Sequence, residues 1–314
     1  MDTTPLPAPT PAALEERFLE PPGFRWGHFT ARDGARLRWG HRPACSAFDC
    51  IVVGGFLEFA EKYFEVTGDL HARGFNVWFL DWRGQGRSTR SGTRPAARVF
   101  ARDAEDLAQF ITSVSARGRK RLLVAHSMGA AISLIALHDH PGIVDAAILS
   151  APMLEINTGH VPRAAARLLA RAMTAFGCSD GFVPGAGPWP YVGPAVSNDP
   201  VRGQLLEMWF NAQEDLRLDG PTYGWLNAAF SLTARANDVR FLEAIETPIL
   251  MGSAGKDFLV EPAAHRRAAA WLPNCRLITF AEAKHELFHE TDAVRAQWFA
   301  AIDAFIAKHL GPEA

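Results

Sequence analysis

Short continuous apolar runs alternate with longer stretches whose apolar positions recur every three or four residues, and this alternation fills the first half of the chain. Phe24 to Thr30 and Ala35 to His41 predict two strands joined at Asp33-Gly34, a tight-turn pair that tolerates positive φ. Cys50-Ile51-Val52-Val53 predicts a buried strand, with Gly54-Gly55-Phe56 directly after it. Tyr63 to Arg73 reads as a helix ended by Gly74, and Phe75 to Leu80 as the next strand. Phe100 to Ala116 is an amphipathic helix. Leu122 to Ala125 is a strand that runs into a helix after Gly129, and Asp145 to Ser150 is a further strand. Strands separated by helices imply right-handed crossovers and a parallel sheet, here with an antiparallel hairpin at its start.

From residue 152 to 240 the alternation stops. Helical patterns, a Gly/Pro-rich loop from Gly181 to Pro194, and aromatics including Trp189, Tyr191, Trp209, Phe210, Tyr223 and Trp225 fill this stretch. It reads as a mostly helical cap inserted over the sheet edge. Within it, Pro162 to Phe176 predicts an amphipathic helix with Arg163, Arg167 and Arg171 on one face and Leu168, Leu169, Ala172, Met173 and Phe176 over the rest. Two readings of that helix stand: a solvated basic face, or an interfacial face that meets anionic lipid. The sheet resumes at Thr247 to Gly252 and ends with Arg276 to Phe280, flanked by helices at Pro262 to Ala270 and Ala293 to His309. The expected organisation is an extended arm at 1–22, an α/β core at 23–151 and 241–314, and the cap at 152–240.

A chain of 314 residues, 48% hydrophobic and 21% charged, is long and apolar enough for one large core with an insertion. Lys+Arg 32 against Asp+Glu 34 leaves a net charge of -2, which argues against nucleic-acid binding through bulk charge. Cys45, Cys50, Cys178 and Cys275 form no zinc-type spacing, so reduced structural thiols are expected. Met1 to Pro5 lacks the basic and apolar regions of a signal peptide, and no apolar run is long enough for a membrane span. A cytoplasmic protein is expected, with peripheral contact at the inner face of the membrane.

The chemistry collects at the carboxyl ends of the predicted strands, where open α/β sheets bind ligands. Ala125-His126-Ser127-Met128-Gly129 places a serine between a strand and a helix, flanked by the small residues Ala125 and Gly129. A sharp turn there exposes the serine hydroxyl and sets the Met128 N–H at a helix N-terminus. The bland alternative for Ser127 is a helix N-cap. Asp257 and His285 follow later strands, so the order Ser…Asp…His matches a nucleophile, an orienting carboxylate and a base. The backbone N–H groups of Phe56 and Met128 are the expected oxyanion donors, with Gly55, Ala125, His126 and Gly129 shaping the elbow and its facing loop.

With these residues in view, the chain resembles the monoacylglycerol lipase and lysophospholipase branch of the α/β-hydrolases, often labelled serine aminopeptidase-like. The likeness spans about residues 24 to 308. It rests on Gly54-Gly55-Phe56 with Glu58 and Lys62-Tyr63, on Asp81-Trp82-Arg83-Gly84-Gln85-Gly86-Arg87-Ser88, and on His126-Ser127-Met128-Gly129. Gly255-Lys256-Asp257, Lys284-His285-Glu286 and the cap segment Gly220 to Trp225 complete it. Two departures stand out: Ala125 replaces the first elbow glycine, and Gly54 stands where many relatives carry histidine before the oxyanion-hole glycine. The resemblance implies an α/β-hydrolase fold, no cofactor, and a serine hydrolase acting on a small lipid ester of the lysophospholipid or monoacylglycerol type. Leu168, Met173, Trp209, Tyr223 and Trp225 are the substrate-facing candidates. Rival readings are a small-ester esterase or aminopeptidase-like amidase with the same triad, a non-catalytic binding protein of this fold, and a zinc hydrolase. The last would use His285-Glu286-Leu287-Phe288-His289, an H-E-x-x-H pattern.

Overall fold

Each apolar run became a strand of one eight-stranded sheet in the computed structural model, which describes residues 14–95, 99–116, 118–190 and 195–311. The strands are β1 (Arg25–Thr30), β2 (Arg36–Arg42), β3 (Phe48–Val53), β4 (Asn76–Leu80), β5 (Lys120–His126), β6 (Ala146–Ser150), β7 (Ile249–Ala254) and β8 (Cys275–Phe280). Their spatial order is β1-β2-β4-β3-β5-β6-β7-β8. β1 and β2 form the expected antiparallel hairpin, and β2 joins β4 antiparallel. All other pairings are parallel. Residues 14–22 of the arm are described, and Phe18 of the short turn Glu16–Phe18 is buried. The first 13 arm residues, and Tyr191 to Pro194 of the Gly/Pro-rich loop, lie outside the described residues.

The central strands read as unbroken hydrophobic runs because helices cover both faces. Successive side chains then alternate between two cores. Ile51, Val53, Leu123 and Ala125 face one core, shared with α2 (Phe100–Val114) and α3 (Ser127–Asp139). Cys50, Val52, Leu122 and Val124 face the other. That core is shared with α1 (Phe64–Ala72) and α9 (Asp292–His309), the first and last of the helices. Nearly all of α3 is buried, which explains why its sequence is apolar on every side.

Between β6 and β7 stand α4 (Arg163–Ala175), α5 (Leu205–Ala212), α6 (Tyr223–Arg235) and α7 (Val239–Glu243). The flanking helix after β7 is α8 (Pro262–Trp271). The Thr222 side chain caps α6 by accepting from the Trp225 N–H and donates to the Pro95 carbonyl, which ties this helix to the loop after β4.

Arg38 of β2 is buried with three contacts to carboxylates. Its Nε donates to Asp81 at 2.5 Å, and its two terminal nitrogens donate to Glu61 at 2.6 Å each. This fork holds the loop after β4 and the segment after β3 against the antiparallel hairpin. Arg38→Met should therefore leave two buried carboxylates without their main partner and destabilise the fold by about 3–5 kcal/mol. Urea unfolding at neutral pH checks this; a loss below about 1 kcal/mol would show that the fork is dispensable.

Candidate active site

The turn from β5 into α3 is tight because two backbones must pass each other there. A side chain added at Gly129 would meet the Gly54 carbonyl oxygen at 2.3 Å, so only glycine fits. One added at Gly55 would meet the Ser127 Cβ at 3.0 Å and the His126 ring at 3.3 Å. Ser127 takes φ of +50°, a left-handed conformation uncommon for a residue with a Cβ. Leu57 (+67°) and Ala151 (+43°) are the other such residues among those described, and both lie at the carboxyl ends of neighbouring strands. Strain of this kind gathers at functional sites. The Ser127 carbonyl accepts from the Met153 N–H at 2.9 Å, which fixes the elbow to the segment after β6. Ala125 sits buried in the core, so the extra methyl in place of the usual glycine is accommodated.

Asp257 and His285 meet as their order suggested. Asp257 Oδ2 lies 2.6 Å from His285 Nδ1, and Asp257 Oδ1 accepts from the Leu259 and Val260 N–H groups at 2.8 and 3.0 Å. The carboxylate is thus held at both oxygens, and Nδ1 must carry the proton, leaving Nε2 as acceptor. The His285 ring rests on His126, the neighbour of Ser127, with centroids 4.7 Å apart.

Burial pushes every histidine here toward the neutral form, and only His285 escapes. For His285 the burial effect is outweighed by Asp257, then by Glu286 and Glu58, so it is raised above the ordinary 6.5. Asp257 is likewise penalised by burial, yet the His285 charge, the bond to it and the two backbone donors hold it below 3.8. His126 is pushed down to about 3 by burial, and His289 falls well below 6.5 for the same reason.

Beneath the loop after β3 lies a charged cluster that the sequence reading did not assemble. Glu58 accepts from the Gly55 N–H, from the Tyr63 hydroxyl at 2.6 Å and from Lys62 Nζ at 2.7 Å. Lys62 Nζ also donates to Glu286 at 2.5 Å. Those residues were visible as motif members, but nothing in their spacing shows that Lys62 bridges to a residue more than two hundred positions away. Burial alone would lower Lys62, and Glu286 and Glu58 reverse this and keep it cationic.

Glu58, Glu286 and His289 have ligand-type atoms within 4.8 Å of one another and are the candidate metal group among the described residues. The Lys62 ammonium already bridges the two carboxylates, so a cation there would face like-charge repulsion. The H-E-x-x-H pattern does not form a zinc site of the expected kind. Leu287–His289 is a short 3-10 turn, His285 is engaged by Asp257, and His289 Nε2 faces the Lys62 carbonyl at 3.2 Å. The two histidines therefore do not share a helical face.

The substrate-facing candidates scatter. Trp225 packs on Phe56 of the loop after β3, with ring centroids 4.2 Å apart. Tyr223 begins α6, beside Gly181. Met173 is half-buried on α4, whereas Leu168 on the same helix is 68% exposed. Trp209 is 1% exposed within an aromatic cluster with Phe24, Phe64 and Phe210, so it offers no surface to a substrate. The expectation that Leu168 faces a substrate needs correction. Ala170 is the one buried residue of α4, and Leu168, Leu169 and Phe176 face outward while α4 packs on α6.

A strained serine at a strand–helix elbow above a mostly parallel sheet, with a His–Asp pair whose imidazole packs on the adjoining His126, defines the α/β-hydrolase class. Residues 47–292 match the family described as Serine aminopeptidase, S33, and the chain belongs to that family. It is 32% identical over 281 residues to lysophospholipase L2 of Escherichia coli K12, covering 83% of this chain and 81% of that one. It is 28% identical over 264 residues to probable lysophospholipase L2 of Haemophilus influenzae, covering 82% of each. Its fold is shared with a soluble variant of monoglyceride lipase from Saccharomyces cerevisiae, solved in complex with a substrate analog. That match has a TM-score of 0.72 and 18% identity, covering 90% of this chain and 94% of that one.

The electrostatics yield a direct test. By NMR of ring-labelled histidine, His285 should keep its proton to a pH above 6.5, while His126 and His289 stay neutral across the neutral range. Asp257→Asn should move the His285 midpoint down, because the largest raising influence is removed. An unmoved midpoint would refute the assignment of the shift to Asp257.

Proposed function

We propose that this chain is a serine hydrolase that cleaves the carboxylic ester of single-acyl lipids through an acyl-enzyme intermediate. Likeness to lysophospholipase L2 over four-fifths of the chain carries the substrate class. In this reading Ser127 Oγ attacks the ester carbonyl and His285 Nε2 takes its proton. Asp257 holds the imidazole by Nδ1 and stabilises the imidazolium, and the Phe56 and Met128 N–H groups receive the oxyanion. His285 then returns the proton to the leaving alkoxide. Water, activated by the same nitrogen, releases the fatty acid. Strain at Ser127 and the 2.6 Å Asp257–His285 bond support these roles.

Residues 152–240 act as the cap in this proposal, over a core of 23–151 and 241–314. Phe56, half-buried and backed by the buried Trp225, is the aromatic surface proposed for the acyl chain. The outer side of α4 is proposed to touch an anionic lipid surface at the inner face of the membrane. Leu168, Leu169 and Phe176 give it apolar residues, and Arg167 and Arg171 are exposed on it. Arg163 contributes less than expected, because it is paired with Glu155. Among the described residues no helix is long and apolar enough to cross a membrane. An amidase using the same three residues is the second reading, favoured by the family's description as a serine aminopeptidase.

Ser127→Ala should keep the fold and lose about 10⁴- to 10⁶-fold in kcat. A folded variant that retains a tenth of wild-type turnover would remove Ser127 as nucleophile.

Substrate class is tested by kcat/KM across esters from acetyl to palmitoyl, below the micelle threshold. Each buried methylene contributes about 0.8 kcal/mol, so four more should raise kcat/KM roughly a hundredfold until the site is filled. A profile peaking at acetyl, or faster turnover of an amino-acyl amide than of any lipid ester, would exclude lipid esters and leave the nucleophile untouched.

A further inference from the structure

The loop after β3 is held by buried side chains rather than by its own backbone. The Gly54 carbonyl accepts from Trp82 Nε1 at 2.8 Å, and the Gly55 N–H donates to Glu58. The Gly55 carbonyl accepts from Gln85 Nε2 at 2.8 Å, and the Leu57 N–H donates to Gln85 Oε1 at 3.1 Å. Gln85 Nε2 also reaches the Glu58 carbonyl at 3.2 Å. A single amide, 1% exposed, thus grips the chain immediately before and immediately after the Phe56 N–H.

In a trans peptide the carbonyl and the following N–H point in opposite directions. Turning the Gly55 carbonyl onto Gln85 therefore turns the Phe56 N–H away from Gln85. The Gln85 bond to Leu57 then sustains a positive φ that a leucine would otherwise avoid. Gln85 itself is fixed by the glycine-punctuated turn Asp81 to Ser88. There the Ser88 hydroxyl donates to the Asp81 carbonyl, and the Gln85 and Ser88 N–H groups close two short turns.

We infer that Gln85 is a positioning residue for the oxyanion hole: its amide sets the direction of the Phe56 N–H by holding the Gly55 carbonyl and the Leu57 N–H. This supplies, from a different loop, the support left open by glycine at position 54. The inference rests on the proposed roles of Ser127 and Phe56. Oxyanion donors act only when preorganised toward the charge that develops, so a donor freed to rotate loses transition-state stabilisation while substrate binding is spared.

Two variants separate the contributions. Gln85→Glu keeps the shape and the acceptor for Leu57 but cannot donate to the Gly55 carbonyl when ionised. Gln85→Met keeps the length and loses both bonds. Each is measured against a soluble ester and against a trifluoromethyl ketone, whose adduct with the serine carries an oxyanion. The expected result for Gln85→Glu is a fall of about 10- to 100-fold in kcat with KM within about twofold. The ketone's inhibition constant should rise by the same factor, with Gln85→Met at least as impaired. A folded variant with kcat/KM within about twofold of wild type overturns the inference, as does a fall in kcat with unchanged ketone affinity. Peptide mapping of the wild-type protein after fluorophosphonate treatment keeps the two proposals apart. A label on any residue but Ser127 defeats the nucleophile assignment. A label on Ser127 with undiminished Gln85 variants defeats only the positioning role.

Discussion

The site depends on a close backbone approach: the first turn of α3 runs against the end of β3, with room for hydrogen but not for carbon between Gly129 and the Gly54 carbonyl. That approach forces Ser127 into a left-handed conformation and brings Gly55 against its side chain. Once the elbow is set, the loop after β3 has few shapes open to it. Trp82, Gln85 and Glu58 then select one by satisfying its backbone groups from three directions. A β-sheet interior alone would not fix that loop, because its polar groups pair with side chains and not with a neighbouring strand. The strain and the polar support are complementary, since an uncommon φ persists only where surrounding bonds over-determine it.

Burial has opposite consequences for groups a few ångströms apart. His126, His289 and His285 are all sealed from water, which favours the neutral imidazole in each. His285 has a carboxylate hydrogen-bonded to its Nδ1 at 2.6 Å, whereas Glu286 comes no nearer than 3.5 Å to His289 Nδ1, and of the three only His285 is shifted toward the charged form. The Glu58–Lys62–Glu286 cluster lies close by without breaking this selectivity. Its ammonium offsets part of the negative charge that would otherwise raise the neighbouring histidines together. A histidine that can take a proton, among neighbours that cannot, suits the base role proposed for His285.

Much of this was legible in the sequence because it is local. Apolar runs and their spacing predict all eight strands, and the order Ser127, Asp257, His285 follows from where those runs end. What was not legible is long-range. Lys62 and Glu286 lie on the two sides of the sheet sequence, and their ion pair exists only because β3 and the segment after β8 end at the same edge. Gln85 reads as one polar residue in a glycine-rich turn until the turn is seen to lie over Gly55. Trp209 carried the same ambiguity with the opposite result: an aromatic in a cap can line a cavity or fill a core, and periodicity does not distinguish them. The outward apolar side of α4 also escaped, because amphipathic spacing says that two faces differ and not which one is covered.

The segment between β6 and β7 is anchored unevenly, and the charges show where. Arg87 reaches Asp215 and Gln213 from the loop after β4, and Arg202 reaches Glu65 of α1 at 2.7 Å, so the stretch from 199 to 219 is bound to the core by ions on both sides. Among the described residues α4 shows no comparable clamp along its outer length; its ionic link to the core runs from Arg163 at its first turn to Glu155 and from there to Arg267 of α8. The Arg202–Glu65 pair is buried and holds geometry because removing one partner would leave a charge stranded, whereas Asp215 is largely exposed and its pair with Arg87 contributes less. The ties of residues 199–219 therefore run to α1 and to the loop after β4, while the helix whose apolar residues face outward packs on α6.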